Sequence, residues 1–312
     1  MELIRHIDSS TRSKKGCVLT IGNFDGLHLG HQAIYRQVRA IAAERGLEAV
    51  IMTFEPHSIE YFSPDSIPYR INSIREKILL FSELQIERLV CLRFNNKFAA
   101  LTAEDFIRRI LLDGLNVKAV VVGDDFRFGK NRAGDFGTLQ DMGKELGFDV
   151  FATETYSIDN ERVSSSRIRD ALKQGRLDLA EKLLGRPYFL TGRVMHGDKR
   201  GRELGFPTAN ISMRHHKPPL PGIFAVRVRG LSEQAQPAIA YLGTRPTFSG
   251  VRLFLEVYIF ADPGDIYGRR IKVEFVQHIR FDKAFPTVEE LVHQMHIDVI
   301  QAKEILAQQS VE

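Results

Sequence analysis

The chain has 312 residues, of which 44% are hydrophobic and 26% charged, and this composition excludes collagen, a coiled coil and a disordered chain. At roughly 150 residues per domain, the length predicts about two domains. The 43 basic and 39 acidic residues leave a net charge of +4, which suits a small polyanionic ligand and is too weak to indicate nucleic-acid binding.

The cysteine content and the apolar runs indicate a compartment. Cys17 and Cys91 are too few for a disulfide framework and predict free thiols in a reducing environment. The N-terminus is polar and predicts no signal peptide, and the apolar runs are too short to predict a membrane span. We therefore expect a cytoplasmic protein.

The first half of the chain alternates short apolar runs with segments of helical periodicity. Strands are expected at 18–21, 49–53, 89–92, 119–122 and 150–152, and helices at 31–45, 73–84, 102–113 and 137–146. Fully apolar strands between helices are typical of a parallel sheet that is covered on both faces. We predict a doubly wound α/β domain over residues 1–184, with ligands at the carboxyl ends of its strands.

The pattern changes at Leu184–Pro187, after which runs rich in β-branched and aromatic residues alternate with turns. These runs lie near 188–195, 223–229, 236–242, 252–260 and 271–279. They predict a small antiparallel β-barrel over residues 185–312. A C-terminal helix is expected at 287–307, with one apolar face against the barrel. The residues of that face are Val288, Leu291, Val292, Met295, Val299, Ala302 and Ile305.

A glycine-rich turn with two histidines follows the first strand. The strand runs into Gly22-Asn23-Phe24-Asp25-Gly26-Leu27-His28-Leu29-Gly30-His31. Glycines let the backbone approach a ligand closely, and the following helix presents its N-terminus to a phosphate. His28 and His31 share one helix face, where they can donate hydrogen bonds to a pentavalent transition state, and Gly30 leaves room for a flat ring. This H-x-G-H arrangement is typical of nucleotidyltransferases and class I aminoacyl-tRNA synthetases. The alternatives are two surface histidines on a capped helix, or a zinc site that lacks further ligands nearby.

Three more segments of the first half are candidates for ligand binding. Ser164–Arg169 precedes an expected helix, Asp170–Lys173, and offers serine hydroxyls and the guanidinium groups of Arg167 and Arg169 to phosphates. Its other interpretation is a well-capped helix. The segments 53–57 and 123–129 follow strands, and their phenylalanines suit either a flat aromatic ligand or the core. The aromatic residues in or near these segments are Phe54, Phe62, Phe126 and Phe128.

The second half carries its own polar constellation between Gly197 and Asn210. Glycines and the basic residues Lys199, Arg200 and Arg202 predict a cationic loop that closes over phosphates, although no Walker A pattern is present. Thr208 and Asn210 alternate along an extended segment and can together ligate Mg²⁺. Glu256 is an acid within an apolar strand, which indicates either a functional carboxylate or a residue that faces solvent.

Taken together, these motifs resemble the bacterial bifunctional riboflavin kinase/FMN adenylyltransferases along essentially the whole chain. The segments are GNFDGLHLGH, TFEPH, VGDDFRFG, SSSRIR, LLGRPY, RGRELGFPTAN, GTRPTF, LEV and DIYG, in that order. The resemblance implies that the first domain transfers AMP from ATP to FMN, and that the barrel phosphorylates riboflavin with ATP. Both reactions use Mg²⁺ in this family. The implied partners are riboflavin, FMN and ATP, without nucleic acid or membrane, and the oligomeric state stays open.

The resemblance also assigns roles to individual residues. His28 and His31 are expected to stabilise the adenylyl transition state, and Glu256 to be the general base of the kinase. The expected nucleotide-binding residues are Gly22, Asn23, Asp25, Gly26, Ser164, Arg167, Arg169, Gly201 and Gly205. The flavin side of the adenylyltransferase site is expected at His57, Phe62 and Asp125, and the Mg²⁺ ligands are expected to be Thr208 and Asn210.

Five positions depart from the pattern of the family. These are Ser58 in place of a proline, Ser166 in place of a threonine, Tyr241-Leu242 in place of Asn-Ile, and Tyr258 in place of a histidine. The last two departures bear on the geometry of the kinase flavin site. They leave room for a single-activity enzyme whose barrel only binds flavin, and the basic loop 199–202 leaves room for a nucleic-acid-binding protein.

Overall fold

The computed structural model describes residues 1–62, 69–197, 201, 204–213, 217–247 and 250–308. The chain forms two compact units. The first unit comprises Met1–Pro68 and Lys77–Val163, and the second comprises Tyr69–Glu76 and Ser164–Glu312. Each unit has its own sheet, and each is described separately below.

The first unit is built on a parallel sheet of six strands. The strands are β1 Glu2–Ile4, β2 Cys17–Ile21, β3 Glu48–Phe54, β4 Arg88–Leu92, β5 Val117–Val122 and β6 Asp149–Ala152. The helices are α1 Leu29–Arg45, α2 Ser58–Phe62, α3 Ile74–Glu83, α4 Asn96–Ala99, α5 Ala103–Asp105 with its π-helical continuation Phe106–Gly114, and α6 Phe136–Leu146. Residues 74–76 of α3 group with the second unit. The α/β prediction is confirmed, and every predicted strand and helix lies within three residues of an observed one.

The strand order places the histidine turn at a topological switch point. The order is β1-β4-β3-β2-β5-β6, and all neighbours are parallel. The chain proceeds outward from β2 through β3 and β4, and then continues on the other side of β2 with β5 and β6. In sheets of this kind, ligands bind outside the carboxyl ends of the strands where the order reverses. The turns after β2 and β5 are therefore the expected binding edge.

Two small elements of the first unit were absent from the sequence prediction. Strand β1 pairs with β4 through three residues at the edge of the sheet, and a two-residue hairpin joins β7 Ser157–Ile158 to β8 Glu161–Arg162. Such short strands are too brief to produce a hydrophobic period. The turn of the hairpin contains Asp159 and Asn160, both with positive φ, which is the conformation that Asp and Asn tolerate best after glycine.

The second unit is a closed antiparallel barrel with helices before and after it. The helices are α7 Ser165–Lys173, α8 Leu177–Leu184 and α9 Val288–Gln308. The strands are β9 Phe189–Met195, β10 Ala209–Ile211, β11 Gly222–Arg229, β12 Gln236–Thr247, β13 Gly250–Ile259 and β14 Arg270–Arg280. They close in the order β10-β13-β12-β11-β14-β9. The predicted antiparallel barrel and C-terminal helix are confirmed, and β10, only three residues long, is the strand that the sequence pattern missed.

Two details of the helices differ from prediction. Helix α7 begins at Ser165 rather than Asp170, so Arg167 and Arg169 lie within the helix. The apolar face of α9 does not pack uniformly: Ala302 and Ile305 are buried against β-strand residues, whereas Val288 is exposed. Leu291, Met295 and Val299 instead line a cavity. The helix therefore packs on the barrel at its C-terminal end and leaves a space near its N-terminal end.

The predicted domain boundary at residues 184–185 stays a prediction. Helices α7 and α8 belong to the compact second unit, where α8 contacts β14. Gly175, in the turn between α7 and α8, lies so close to His278 of β14 that an added Cβ would be 2.7 Å from that ring. Among the described residues, no helix has both the length and the apolar character needed to cross a membrane.

Candidate active sites

His28 and His31 lie at the first turn of α1, at the end of β2. His28 is the N-cap residue of the helix, and its Nδ1 accepts a hydrogen bond from the backbone N–H of His31 at 3.3 Å. The two imidazole rings stack with centroids 3.6 Å apart and an interplanar angle of 18°. The predicted sharing of one helix face by the two histidines is confirmed.

Gly30 provides space in a different way from the prediction. A Cβ at this position would lie 3.1 Å from Nδ1 and 3.2 Å from Cε1 of His28. The space above Gly30 is therefore occupied by the flat ring of His28. The absence of a side chain at Gly30 lets this ring fold back over the start of the helix.

The turn before His28 has a constrained backbone. Phe24 has φ 48° and Leu27 has φ 42°, and both side chains are buried. Positive φ is uncommon for large residues and is maintained only where the surroundings enforce it. Gly26 has φ 85°, which glycine adopts without strain. The ring of Phe24 also contacts the ring of His31 edge-on at 5.1 Å, so that the turn and the histidine pair pack together.

The predicted nucleotide-binding residues of this turn share one short segment. Gly22, Asn23, Asp25 and Gly26 all lie between the end of β2 and the cap of α1. The backbone N–H of Gly22 donates to Met52 of β3 at 3.1 Å, and Asp25 is buried. The segment therefore continues the edge of the sheet and leads directly into the N-terminus of the helix.

The predicted flavin-side residues occupy contrasting environments. His57 is buried at the end of β3, and its Nε2 lies 2.8 Å from Nζ of Lys77. Phe62, at the end of α2, is 57% exposed and contacts Phe94 edge-on at 5.6 Å. Asp125 is exposed in the turn after β5, where it lies 3.5 Å from the guanidinium group of Arg162.

Other phenylalanines near this edge belong to the aromatic core. Phe54 contacts Phe94 and Phe98, and Phe126 stacks on Phe128 at 5.6 Å. Phe128 is buried. Of the four phenylalanines suggested for a flat ligand, Phe62 is therefore the one with a largely exposed ring.

The serine–arginine segment belongs to the second unit. Ser164 caps α7, and its Oγ accepts a hydrogen bond from the backbone N–H of Arg167 at 3.3 Å. Nε of Arg169 donates to the carbonyl oxygen of Tyr69 at 2.8 Å. The predicted cap is confirmed, and the predicted contact of this segment with a triphosphate remains a prediction.

A cavity of about 430 Å³ lies between the outer face of the barrel and α9. Its size is typical of a site for a small organic molecule. Glu256 and Thr208 contribute polar groups to its wall. The apolar and aromatic lining includes Leu204, Phe206, Ile223, Ile239, Tyr241, Tyr258, Phe285, Leu291, Met295 and Val299.

A second cavity of about 590 Å³ lies next to the first and is more glycine-rich. Gly197, Gly205 and Asn210 line it, and Thr208 and Tyr258 line both cavities. Gly205 has φ 89°, and a Cβ at Gly201 would lie 2.5 Å from the carbonyl oxygen of Phe206. Lys199, Arg200 and Arg202, the basic residues of the predicted loop, lie outside the described residues.

The register of the barrel explains why the polar residues meet. Asn210 is opposite Glu256, and Glu256 is opposite Tyr241. The row continues from Tyr241 to Ile223 and from Ile223 to Arg280. Directly opposite residues of antiparallel strands project to the same face of a sheet. Glu256 therefore lies in one transverse row of side chains, between the amide of Asn210 and the phenol of Tyr241.

Sequence reasoning missed the contacts that tie the walls of the first cavity together. Arg280 of β14 donates to both carboxylate oxygens of the buried Asp298 of α9 at 2.8–3.0 Å. The hydroxyl of Tyr241 donates to Oδ2 of Asp282 at 2.6 Å. These pairs join residues that are distant in sequence. A signal for Asp298 was available, because it is an acid directly before Val299, on the helix face marked by the apolar positions 291, 295 and 299.

Comparisons with known proteins find two family models that match separate segments of the chain. A family model described as FAD synthetase matches residues 10–167, and one described as riboflavin kinase matches residues 184–306. The bifunctional riboflavin kinase/FMN adenylyltransferase of Escherichia coli (strain K12) is 44% identical over 305 residues, which are 97% of each chain. The protein of that name from Pseudomonas fluorescens is 42% identical over 308 residues, or 98% of each chain.

A solved structure extends the likeness to the full fold. A crystal structure of a Streptococcus pneumoniae protein named a macrolide-efflux protein matches with a TM-score of 0.83 and 29% identity. The match covers 97% of this chain and 99% of the other.

A FAD synthetase module and a riboflavin kinase module in one chain define a two-step enzyme of flavin-nucleotide synthesis. The chain belongs to the family of bifunctional riboflavin kinase/FMN adenylyltransferases.

Proposed function

We propose that the protein converts riboflavin to FMN in the barrel, and FMN to FAD at the histidine turn of the parallel sheet. The observation that carries this proposal is the pairing of two separate polar centres with the two family models. His28 and His31 lie in the segment matched as FAD synthetase, and Glu256 lies in the segment matched as riboflavin kinase. Each unit contains groups suited to one reaction.

In adenylyl transfer, a phosphate oxygen of FMN attacks the α-phosphorus of ATP and pyrophosphate leaves. Nδ1 of His28 accepts a backbone hydrogen bond, so that the proton of the neutral ring is on Nε2. Nε2–H is then a donor for the charge that develops on the phosphoryl oxygens, and His31 stacks beside it as a second donor. The N-terminus of α1 adds the positive end of its dipole.

In the kinase reaction, the ribityl 5′-hydroxyl attacks the γ-phosphorus of ATP and ADP leaves. Riboflavin occupies the cavity lined by Glu256, since its apolar and aromatic walls suit a flavin ring. ATP occupies the glycine-lined cavity, and Thr208 lies where the two cavities share a wall. Glu256 accepts the proton of the attacking hydroxyl, in a half-buried position that faces the riboflavin cavity.

The residues of the barrel fit Mg²⁺ as a partner of ATP. Thr208 and Asn210 offer a hydroxyl and an amide oxygen, the hard donors that Mg²⁺ prefers. Gly197 packs directly against the amide of Asn210: a Cβ added at Gly197 would lie 2.7 Å from Oδ1, so a larger residue would fill that space. Among the described residues, no group of three or more His, Cys, Asp or Glu could hold a metal by itself. When bound, Mg²⁺ neutralises phosphate charge.

Several further assignments belong to this proposal. Ser164, Arg167 and Arg169 hold the triphosphate in adenylyl transfer, and Gly201 and Gly205 approach the nucleotide of the kinase. His57, Phe62 and Asp125 form the flavin side of the adenylyltransferase site. The proposed location is the cytoplasm, supported by the two free, buried cysteines and by the need of both reactions for ATP.

One incubation tests the proposal. Riboflavin and ATP are supplied with MgCl₂, with CaCl₂ or with EDTA, and the products are separated by chromatography. The expected result is FMN followed by FAD in the MgCl₂ arm, with both products strongly reduced in the EDTA arm. Accumulation of FMN without FAD would remove the adenylyltransferase assignment, and equal yields with EDTA would remove the metal assignment.

A further inference from the structure

Lys77 of α3 is a buried cation next to the histidine turn. It has no exposed surface, although burial of an ammonium group is costly unless polar groups surround it. Its Nζ lies 2.7 Å from the carbonyl oxygen of Asn23 and 2.8 Å from Nε2 of His57. Helix α3 begins with a capping box, in which Glu76 accepts from the N–H of Ser73 and donates its own N–H to the Ser73 hydroxyl.

The two partners of Lys77 belong to the ends of adjacent strands. Asn23 begins the turn after β2, and His57 follows β3. An ammonium group only donates hydrogen bonds. His57 therefore accepts at Nε2, and the proton of its neutral ring is on Nδ1. Thr53 of β3 adds a hydrogen bond from its hydroxyl to the same Asn23 carbonyl at 3.3 Å. One buried cation thus links the main chain of the turn to the side chain of a predicted flavin-side residue.

The same helix supports the strained part of the turn. Phe81, one helical turn after Lys77, contacts the ring of Phe24 edge-on at 6.0 Å. Phe24 has positive φ and contacts the ring of His31. Lys77 and Phe81 therefore hold successive residues of the turn, Asn23 by a hydrogen bond and Phe24 by packing. The positive φ of Phe24 needs such external support.

We propose that Lys77 is a positioning residue for FMN adenylylation. It holds the turn 23–27 in the conformation that aims His28 and His31, and it holds the ring of His57 in the Nδ1–H tautomer. This inference rests on the proposed adenylyltransferase role of the histidine pair. It predicts that loss of the ammonium group slows the chemical step in the first unit without slowing riboflavin phosphorylation in the second.

The kinetic test compares three variants of the full chain. Lys77→Met keeps the length of the side chain and removes its donors, and Lys77→Gln keeps an amide donor. Leu80→Ala removes a buried apolar side chain from the same helix and is the control for a destabilised α3. Displacement of catalytic groups by about 1 Å can cost about 100-fold in rate. We expect Lys77→Met to lower kcat for FMN adenylylation about 10- to 100-fold, Lys77→Gln to recover part of that loss, and Leu80→Ala to lower the melting temperature with a near-normal kcat.

A spectroscopic test reports on the interaction itself. In protein labelled with ¹⁵N-histidine, the His57 signal is assigned by its absence in His57→Gln. The parent protein should show His57 as a neutral ring protonated at Nδ1, and Lys77→Met should lose that state. This readout stays informative if His28 and His31 prove dispensable for FAD synthesis, which would refute the proposed function and not the contact. If Lys77→Met does not fold, the parent signal and Lys77→Gln carry the test.

Two results would overturn the proposal. One is a parent spectrum in which His57 is protonated at Nε2. The other is a kcat for adenylylation, per folded molecule, that is the same in Lys77→Met as in the control Leu80→Ala. If Lys77→Met does not fold, the same comparison is made between Lys77→Gln and Leu80→Ala. In either case Lys77 would stabilise the fold without positioning the reacting groups.

Discussion

The ring of His28 stacks on the ring of His31 with centroids 3.6 Å apart and lies where a side chain at position 30 would begin, and the N–H of His31 donates to Nδ1 of His28. The two histidines are therefore one structural unit, since each one sets the orientation of the other. A change at either of them, or at Gly30 between them, is expected to disturb the pair as a whole.

Replacement of both histidines should separate the two activities. We expect His28→Ala with His31→Ala to remove FMN adenylylation and to leave riboflavin phosphorylation nearly intact, because both histidines belong to the first unit. Removal of one transition-state donor typically costs about 2.7–4 kcal/mol. The measurement is the rate of each step with purified riboflavin or FMN as substrate. Loss of both activities at once would indicate a folding defect or a shared site.

Gly30→Ala should lower the adenylylation activity by displacing the ring of His28. The added Cβ would lie 3.1 Å from Nδ1 of His28, so the ring must shift by a few tenths of an ångström. We expect kcat for adenylylation to fall about 10-fold, since catalysis is sensitive to sub-ångström displacement.

Gly137→Ala in α6 is the matched control for Gly30→Ala. Its Cβ would meet Asp135 at an ordinary 3.5 Å, and the position is remote in sequence from the histidine turn. Adenylylation should be unchanged in this variant. Unchanged adenylylation in Gly30→Ala as well would show that the position of the His28 ring is not critical.

The first half of the chain was predictable because its strands are buried on both faces. All five residues of β2 are buried, and such runs are legible in sequence. The H-x-G-H spacing likewise predicted the sharing of one face by His28 and His31. The contacts of Lys77 were not predictable, because they join residues 20 and 54 positions apart through the strand order of the sheet. A lysine in a helical segment is ordinarily a solvent-facing residue.

The two thiols should be unreactive in the folded protein. Burial raises the pKa of Cys17 to about 12, and burial also raises the pKa of Cys91. Since the thiolate is the nucleophile, iodoacetamide at pH 8 should label neither residue in the native state. Mass spectrometry of digested protein checks this, with urea-unfolded protein as the control in which both are labelled. Rapid labelling of Cys17 without urea would mean that the sheet opens locally.

The second half illustrates where sequence patterns lose information. The long strands of the barrel were recognisable, but β10 is only three residues long and carries Asn210. The neighbours of Glu256 follow from cross-strand register, which a single strand does not reveal. The apolar positions 291, 295 and 299 of α9 were assigned to barrel packing, because a ligand cavity and a core select the same residue types.

The kinase should function without the first unit. All residues that line the two barrel cavities follow position 193. We expect a fragment of residues 186–312 to phosphorylate riboflavin and to melt cooperatively. A fragment of residues 164–312 should melt at a higher temperature, because it keeps α7 and α8, whose Leu183 and Leu184 are fully buried. Calorimetry and the kinase assay measure both fragments. A soluble fragment 186–312 without a cooperative transition would move the functional boundary to residue 164.

Glu256→Gln should abolish riboflavin phosphorylation and preserve FMN adenylylation. Glutamine keeps the shape and hydrogen-bonding reach of the side chain between Asn210 and Tyr241, but it cannot accept the proton of the 5′-hydroxyl. General base catalysis contributes about 10²–10⁴-fold, so the loss is expected in kcat rather than in KM. The initial rate of FMN formation over a range of riboflavin concentrations separates these two parameters.

The control for Glu256→Gln is Glu274→Gln on β14 of the same barrel. Glu274 forms ion pairs with Arg229 and Lys272, and it lines neither of the two cavities described. This variant should keep kcat within about two-fold, because partly exposed ion pairs contribute only about 0–1 kcal/mol to stability. If Glu256→Gln also stays within a few-fold of the parent, Glu256 is structural. Asp262 and Asp265 then become the candidates, although each already accepts a hydrogen bond from a turn N–H, at 2.9 and 3.1 Å respectively.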